Sequence, residues 1–93
     1  MITGDMLEQV IATMGKEFDS HEIIRKVTQK NQRAYIEQLY EQRNRAAPVH
    51  YVHSKLGKDI TKLCTNLGYH RTNERNADIF GQSSKCIHWQ KPT

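Results

Sequence analysis

Pro48-Val49-His50-Tyr51-Val52-His53-Ser54-Lys55-Leu56-Gly57-Lys58-Asp59-Ile60-Thr61-Lys62-Leu63-Cys64-Thr65-Asn66-Leu67 is the stretch on which the fold turns. Val49, Val52, Leu56, Ile60, Leu63 and Leu67 follow one another at steps of 3, 4, 4, 3 and 4. That spacing lines one side of an α-helix with apolar groups. Pro48 suits the first turn, where its missing amide costs nothing. Gly68 is a natural stop. The stretch therefore predicts a helix over 48–66. Gly57 weakens it by about 1 kcal/mol relative to alanine, so a kink or a helix–turn–helix break there is compatible with the pattern.

Upstream, Arg43-Asn44-Arg45-Ala46-Ala47 reads as a connection. Before it, Ala34, Tyr35, Ile36, Leu39 and Tyr40 form an apolar stripe and predict a helix over 32–43, with both tyrosines on the core side. Ile23, Ile24 and Val27 predict another over 20–29, the two being separable by the polar Thr28–Asn31. Asp19 and Glu22 stand at capping-box spacing in front of it. Met6, Leu7, Val10, Ile11 and Met14 predict the first helix, capped by Thr3 or Asp5 and closed by Gly15.

Downstream of Gly68 the period changes. Tyr69-His70-Arg71-Thr72 favours a strand, and Asn73–Ala77 is polar and turn-like. Asp78–Ser84 is rich in turn formers, and Lys85–Lys91 alternates. Cys86, His88 and Gln90 fall on one face and Ile87 and Trp89 on the other, so Trp89 is expected to pack the hairpin onto the helices. Two short strands joined by a long loop are expected, ended by Pro92. The expected class is α+β, mostly helical: three to four helices and a C-terminal β-hairpin in one domain over 1–93.

The chain carries +4 at neutral pH, and the charge is unevenly spread. Residues 42–75 hold seven Lys/Arg against two Asp/Glu, whereas residues 1–41 hold five against seven. A basic middle after an acidic start suits a polyanionic partner, and equally a solvated basic face. Hydrophobic residues make up 37% and the mean hydropathy is −0.79, polar but outside the range of disorder. No apolar run approaches the roughly 20 residues of a bilayer span, and the N-terminus lacks signal-peptide character. Two cysteines make no disulfide framework. The expectation is a cytoplasmic protein with reduced thiols and no membrane partner.

Helical segments, one strongly amphipathic helix and a terminal hairpin, with Leu67-Gly68-Tyr69 leading from one to the other, resemble a winged-helix domain, a relative of the helix–turn–helix. The resemblance spans roughly residues 5–91. The helical material at 31–44 departs from the usual plan, so the pair forming the helix–turn–helix stays open. The resemblance implies that 48–66 is a recognition helix. Its polar face would present His50, His53, Ser54, Lys55, Lys58, Lys62 and Asn66 to DNA, since Lys meets phosphate or guanine edges and Ser and Asn reach bases. It also implies a basic wing at 69–77 carrying Arg71 and Arg75, with Arg43 and Arg45 clamping the backbone.

Three function classes follow: a duplex-DNA-binding regulator of transcription or of a mobile element, a winged-helix protein-docking module, or a small assembly subunit dimerising through its acidic half. Duplex is preferred to single strands because basic and aromatic residues do not alternate. His50, His53, Cys64, Cys86 and His88 offer metal-ligand types without CxxC or HExxH spacing, so no metal is expected. Cys64, beside the stripe, reads as a small buried hydrophobe. No glycine-rich phosphate loop, nucleophile elbow or carboxylate pair is present, so neither catalysis nor a cofactor is expected.

Overall fold

The computed structural model describes residues 1–92. The elements are α1 (Gly4–Thr13), β1 (Glu17–Asp19), α2 (Ser20–Lys30), α3 (Gln32–Glu41), α4 (Pro48–Asn66), β2 (His70–Ala77) and β3 (Ser83–Gln90). They make a small α+β fold of four helices and one three-stranded antiparallel sheet, ordered β1-β3-β2.

Local chemistry sets most of the helix ends. The Thr3 hydroxyl accepts from the Met6 amide at the start of α1, and Asp19 Oδ1 accepts from the Glu22 amide at the start of α2. Pro48 opens α4, which runs 19 residues without a break at Gly57. Its C-terminus is a Schellman motif. Gly68 sits at φ 77°, its amide donates to the Thr65 carbonyl, and the Tyr69 amide donates to that of Cys64, both at 3.0 Å. Only a residue without a β-carbon adopts that φ at no steric cost.

The core gathers Leu7, Val10 and Ile11 of α1, Ile23, Ile24 and Val27 of α2, and Val52, Leu56, Ile60 and Cys64 of α4. From the sheet, Phe18 and Trp89 close it; they are register partners across β1 and β3. Trp89 is fully buried and its indole N–H donates to Ser20 Oγ at 3.1 Å. Lys91 then reaches the end of α1, its Nζ donating to the carbonyls of Ile11 and Met14 at 3.0 and 2.9 Å. There an ammonium meets the negative end of the helix, adding to the Met14 amide already bonded to the Ile11 carbonyl.

Four expectations need correction. A third strand exists: Glu17–Asp19 pairs with His88–Gln90, and three residues are too few to show a period. Asn73–Ala77 is strand rather than turn, paired residue by residue with Ser83–Ile87, because a solvated strand needs no apolar alternation. The hairpin thus has two eight-residue strands and a tight connection, in which Asp78 Oδ1 accepts from the amides of Phe80 and Gln82 and Gly81 takes φ 78°. Finally, α3 ends at Glu41 and buries only part of its expected stripe. Ala34, Tyr35 and Leu39 pack partly on the core, but Ile36 and Tyr40 are each 63% exposed. The buried α3 residue is Gln38, whose Oε1 accepts from the Ile2 amide at 2.9 Å.

Candidate functional site

The hairpin is two-faced by register. Cross-strand partners point the same way and neighbours along a strand point oppositely. Arg71 pairs with Trp89, Asn73 with Ile87 and Arg75 with Lys85, so three cations share the face that carries Trp89. The opposite face carries Thr72 with His88, Glu74 with Cys86 and, from β1, Glu17 and Asp19. No lysine or arginine of the three strands lies on that second face.

The basic face of the hairpin and the flank of α4 enclose a groove of about 990 Å³. Lys58 and Lys62 line it from α4, Arg71 and Lys85 from the hairpin. The lining carboxylate is Asp78, and His21, His50 and Ser54 add donors and acceptors. Ile24, Val49, Ile79 and Ile87 give it an apolar floor. A second depression shares Arg71 and Lys85 and extends to Asn73, Arg75 and the carboxylate Glu74 along the distal hairpin. Cations from two elements far apart in sequence therefore face one concavity, which raises the local potential for an anion.

Of the residues expected to contact DNA, His50, His53, Ser54, Lys58, Lys62 and Arg71 line this groove, all with exposed side chains except the half-buried His53. Arg75 is exposed on the distal hairpin, its guanidinium donating to the Ser83 carbonyl at 3.4 Å. Lys55 stands on the open side of α4 in an ion pair with Asp59 at 3.4 Å. Such half-exposed pairs stabilise by less than about 1 kcal/mol, so Lys55 can exchange Asp59 for another anion. Asn66 is exposed at the last turn of α4, and Arg43 and Arg45 are exposed on the α3–α4 connection.

His53 departs from expectation. It is half-buried, Tyr35 Oη and His53 Nε2 are 2.6 Å apart, and Phe80 from the hairpin turn stacks on its ring at 6.3 Å and 11°. Burial pushes its pKa below the usual histidine value despite the nearby Asp78. The neutral ring joins α3, α4 and the hairpin turn, and its remaining surface lines the groove. Its position at the edge of the apolar stripe, one residue after Val52, was the signal for this.

Two groove residues escaped the sequence analysis. Lys85 is in phase with Ile87 and Trp89, so the alternation that placed those two also placed Lys85. His21 is carried in by the sharp β1–α2 junction, and its Nε2 lies 2.8 Å from Ser84 Oγ; no local pattern encodes that.

On the opposite face, ligand-type atoms of Asp19, Glu74 and Cys86 lie within 4.8 Å of one another. Asp19 is already engaged. It caps α2 through Oδ1 and accepts from Asn76 Nδ2 through Oδ2 at 2.5 Å. Burial opposes its charge, but these hydrogen bonds outweigh burial and hold the carboxyl below its ordinary value. Burial, reinforced by the two carboxylates, pushes the Cys86 thiol up to about 11. Burial alone does the same at Cys64, against a small opposing effect of Lys91. Both thiols are therefore protonated at neutral pH. His88 bridges Glu17 at 3.1 Å and Glu74 at 3.5 Å, and its pKa rises, first through the Glu17 hydrogen bond.

Compared with protein-family models, with curated proteins and with solved structures, the chain matches none of them. Among the described residues, no helix is long and apolar enough to cross a membrane.

Proposed function

We propose that the chain is a winged-helix nucleic-acid-binding domain that engages duplex DNA with α4 and the hairpin. The observation that carries this reading is the groove in which Lys58 and Lys62 of α4 face Arg71 and Lys85 of the hairpin, with Asp78 as its lining carboxylate. Four helices followed by a terminal hairpin, which packs through β3 on α2 and shares a groove with α4, support the winged-helix class. Glu17 and Asp19 sit on the far side of the sheet, outside the residues that line the groove. In this reading α4 presents its polar side to the major groove, Ser54 and His50 reach base edges, and the cations hold phosphates.

The test is a titration of duplex DNA at several salt concentrations. If the four groove cations each neutralise one phosphate, log K falls with log salt at a slope near −3.6. Between 50 and 200 mM salt that is roughly a 150-fold loss. Replacing Lys58, Lys62, Arg71 and Lys85 by Gln removes most of that slope, whereas Lys16/Lys26 to Gln, a change in the acidic half, leaves it unchanged. A slope near zero, or equal losses from both variants, refutes the proposal.

Protein docking is a second reading with its own observation. Ile36 and Tyr40, one turn apart on α3, are each 63% exposed. Self-association in light scattering that Ile36→Lys abolishes, in a chain that shows no salt-dependent DNA binding, would favour it.

A further inference from the structure

The open face of α4 carries a row that the groove does not use up. Tyr51, Lys55, Lys58 and Lys62 are spaced i, i+4, i+7 and i+11, which stacks them along one side of a helix. The buried residues Val52, Leu56 and Ile60 occupy the other side. Tyr51 thus stands at the N-terminal end of a row of lysines, 37% exposed and outside the core.

Tyr51 is covered by an arginine. The Arg45 guanidinium lies over its ring at 3.6 Å from the centroid. The same guanidinium is held at its other end, where Nε donates to Gln42 Oε1 at 2.5 Å. An exposed arginine ordinarily loses much side-chain freedom when it grips an anion. Arg45 has lost that freedom before any ligand arrives, and the stack uses its face rather than its edge. Its two terminal amino groups donate to no protein acceptor among the described residues and are left as a fork that matches two oxygens of a phosphate. Arg43 provides an internal contrast. It lies over Tyr40 at 4.1 Å, but its Nη1 is already donated to the Tyr40 carbonyl at 3.0 Å.

We infer that Tyr51 is a positioning residue that holds Arg45 flat as a bidentate phosphate clamp where the nucleic-acid backbone passes the N-terminal end of α4. The inference rests on the nucleic-acid reading above and adds a contact outside the groove. It makes Arg45 the member of the α3–α4 connection that contributes binding, through its shape as much as its charge. Arg43 contributes less, because one edge of its fork is occupied.

The test uses fluorescence anisotropy of a short labelled duplex at low salt, with Tyr51→Leu, Tyr51→Phe, Arg45→Ala and Arg45→Lys in the full chain. Position 51 is solvent-facing and leucine is a good helix former, so circular dichroism should show α4 intact. Exposed cation–π stacks are worth a factor of roughly two to five in an equilibrium constant. Tyr51→Leu should weaken binding by about that factor without changing net charge, and Tyr51→Phe should restore it. Arg45→Lys should weaken binding at an unchanged salt slope, because charge is kept and the fork lost. Arg45→Ala should also lower the slope by about 0.9, and Tyr51→Leu should then add nothing further. The inference is overturned if Tyr51→Phe is as damaging as Tyr51→Leu, if the two losses add in full, or if neither variant changes binding while the unmodified chain binds. An unmodified chain that fails to bind at low salt removes the nucleic-acid reading itself, and the clamp with it.

Discussion

Trp89 is the point at which the sheet is fastened to the helices, so Trp89→Ala should loosen the hairpin from α2 and disrupt the groove that it shares with α4. The side chain is fully buried between Phe18 and the core cluster, and its N–H is held by Ser20 Oγ. Truncating a buried tryptophan costs about 3–5 kcal/mol in lost transfer energy and residual cavity. A chain of 93 residues has a total stability of roughly 5–14 kcal/mol. The variant should lose about a fifth or more of it, and near the lower end of that range most of it. Each kcal/mol moves the midpoint by about 4–8 °C in a domain of this size, so the melt should fall by at least about 12 °C. Ser20→Ala is the finer probe. It removes the acceptor of the indole N–H and leaves a buried donor unpaired, which costs about 1–3 kcal/mol. Far-UV circular dichroism gives both melts. Trp89 is the sole tryptophan, so its emission in the unmodified chain should be blue-shifted from that of the urea-unfolded chain and resist acrylamide quenching. An emission like the unfolded chain's, or a Trp89→Ala melt within about 2 °C of the original, would falsify the packing on which the groove depends.

The remaining predictions concern the local devices that hold the site together. Asp19→Ala removes the cap of α2 and the partner of Asn76, and should destabilise by about 1–2 kcal/mol in urea titration; no change in midpoint would show that the Asp19–Glu22 contact is dispensable. His88 has a folded pKa raised by Glu17 and Glu74. Its contribution is therefore full below the unfolded pKa near 6.5 and is lost as pH rises through the higher folded value. The melting-temperature difference between the unmodified chain and His88→Gln should accordingly shrink on going from acidic to alkaline pH across that window, and a difference that grows would reverse the assignment.

Much of this molecule is written locally. The residues from Pro48 to Gly68 contain their own start, stripe and stop, and α4 follows from them because a 19-residue amphipathic helix needs only its period and its ends. The caps of α1 and α2 are equally local, each made by a side chain three residues from the amide that it accepts. The in-facing tryptophan was legible from alternation alone. Along α4 the same period separates the lysines from the core.

Tertiary structure decided the rest. Glu17–Asp19 becomes a strand because the edge of β3 needs a partner and Phe18 must cover Trp89, conditions set 71 residues away in the chain. Asn73–Ala77 extends β2 because β3 pairs with it, although its side chains, left to solvent, carry no apolar rhythm. His53 changed from a surface candidate to a half-buried link at the groove wall because Tyr35 and Phe80 converge on it from other elements. Ile36 and Tyr40 belong to a helical stripe wider than the surface available to bury it, so they remain outside. The groove itself has no sequence signature. Lys58 and Lys62 come to face Arg71 and Lys85 only when the Schellman turn at Gly68 redirects the chain and β3 packs on α2, since a period describes one element and a site is made where elements meet.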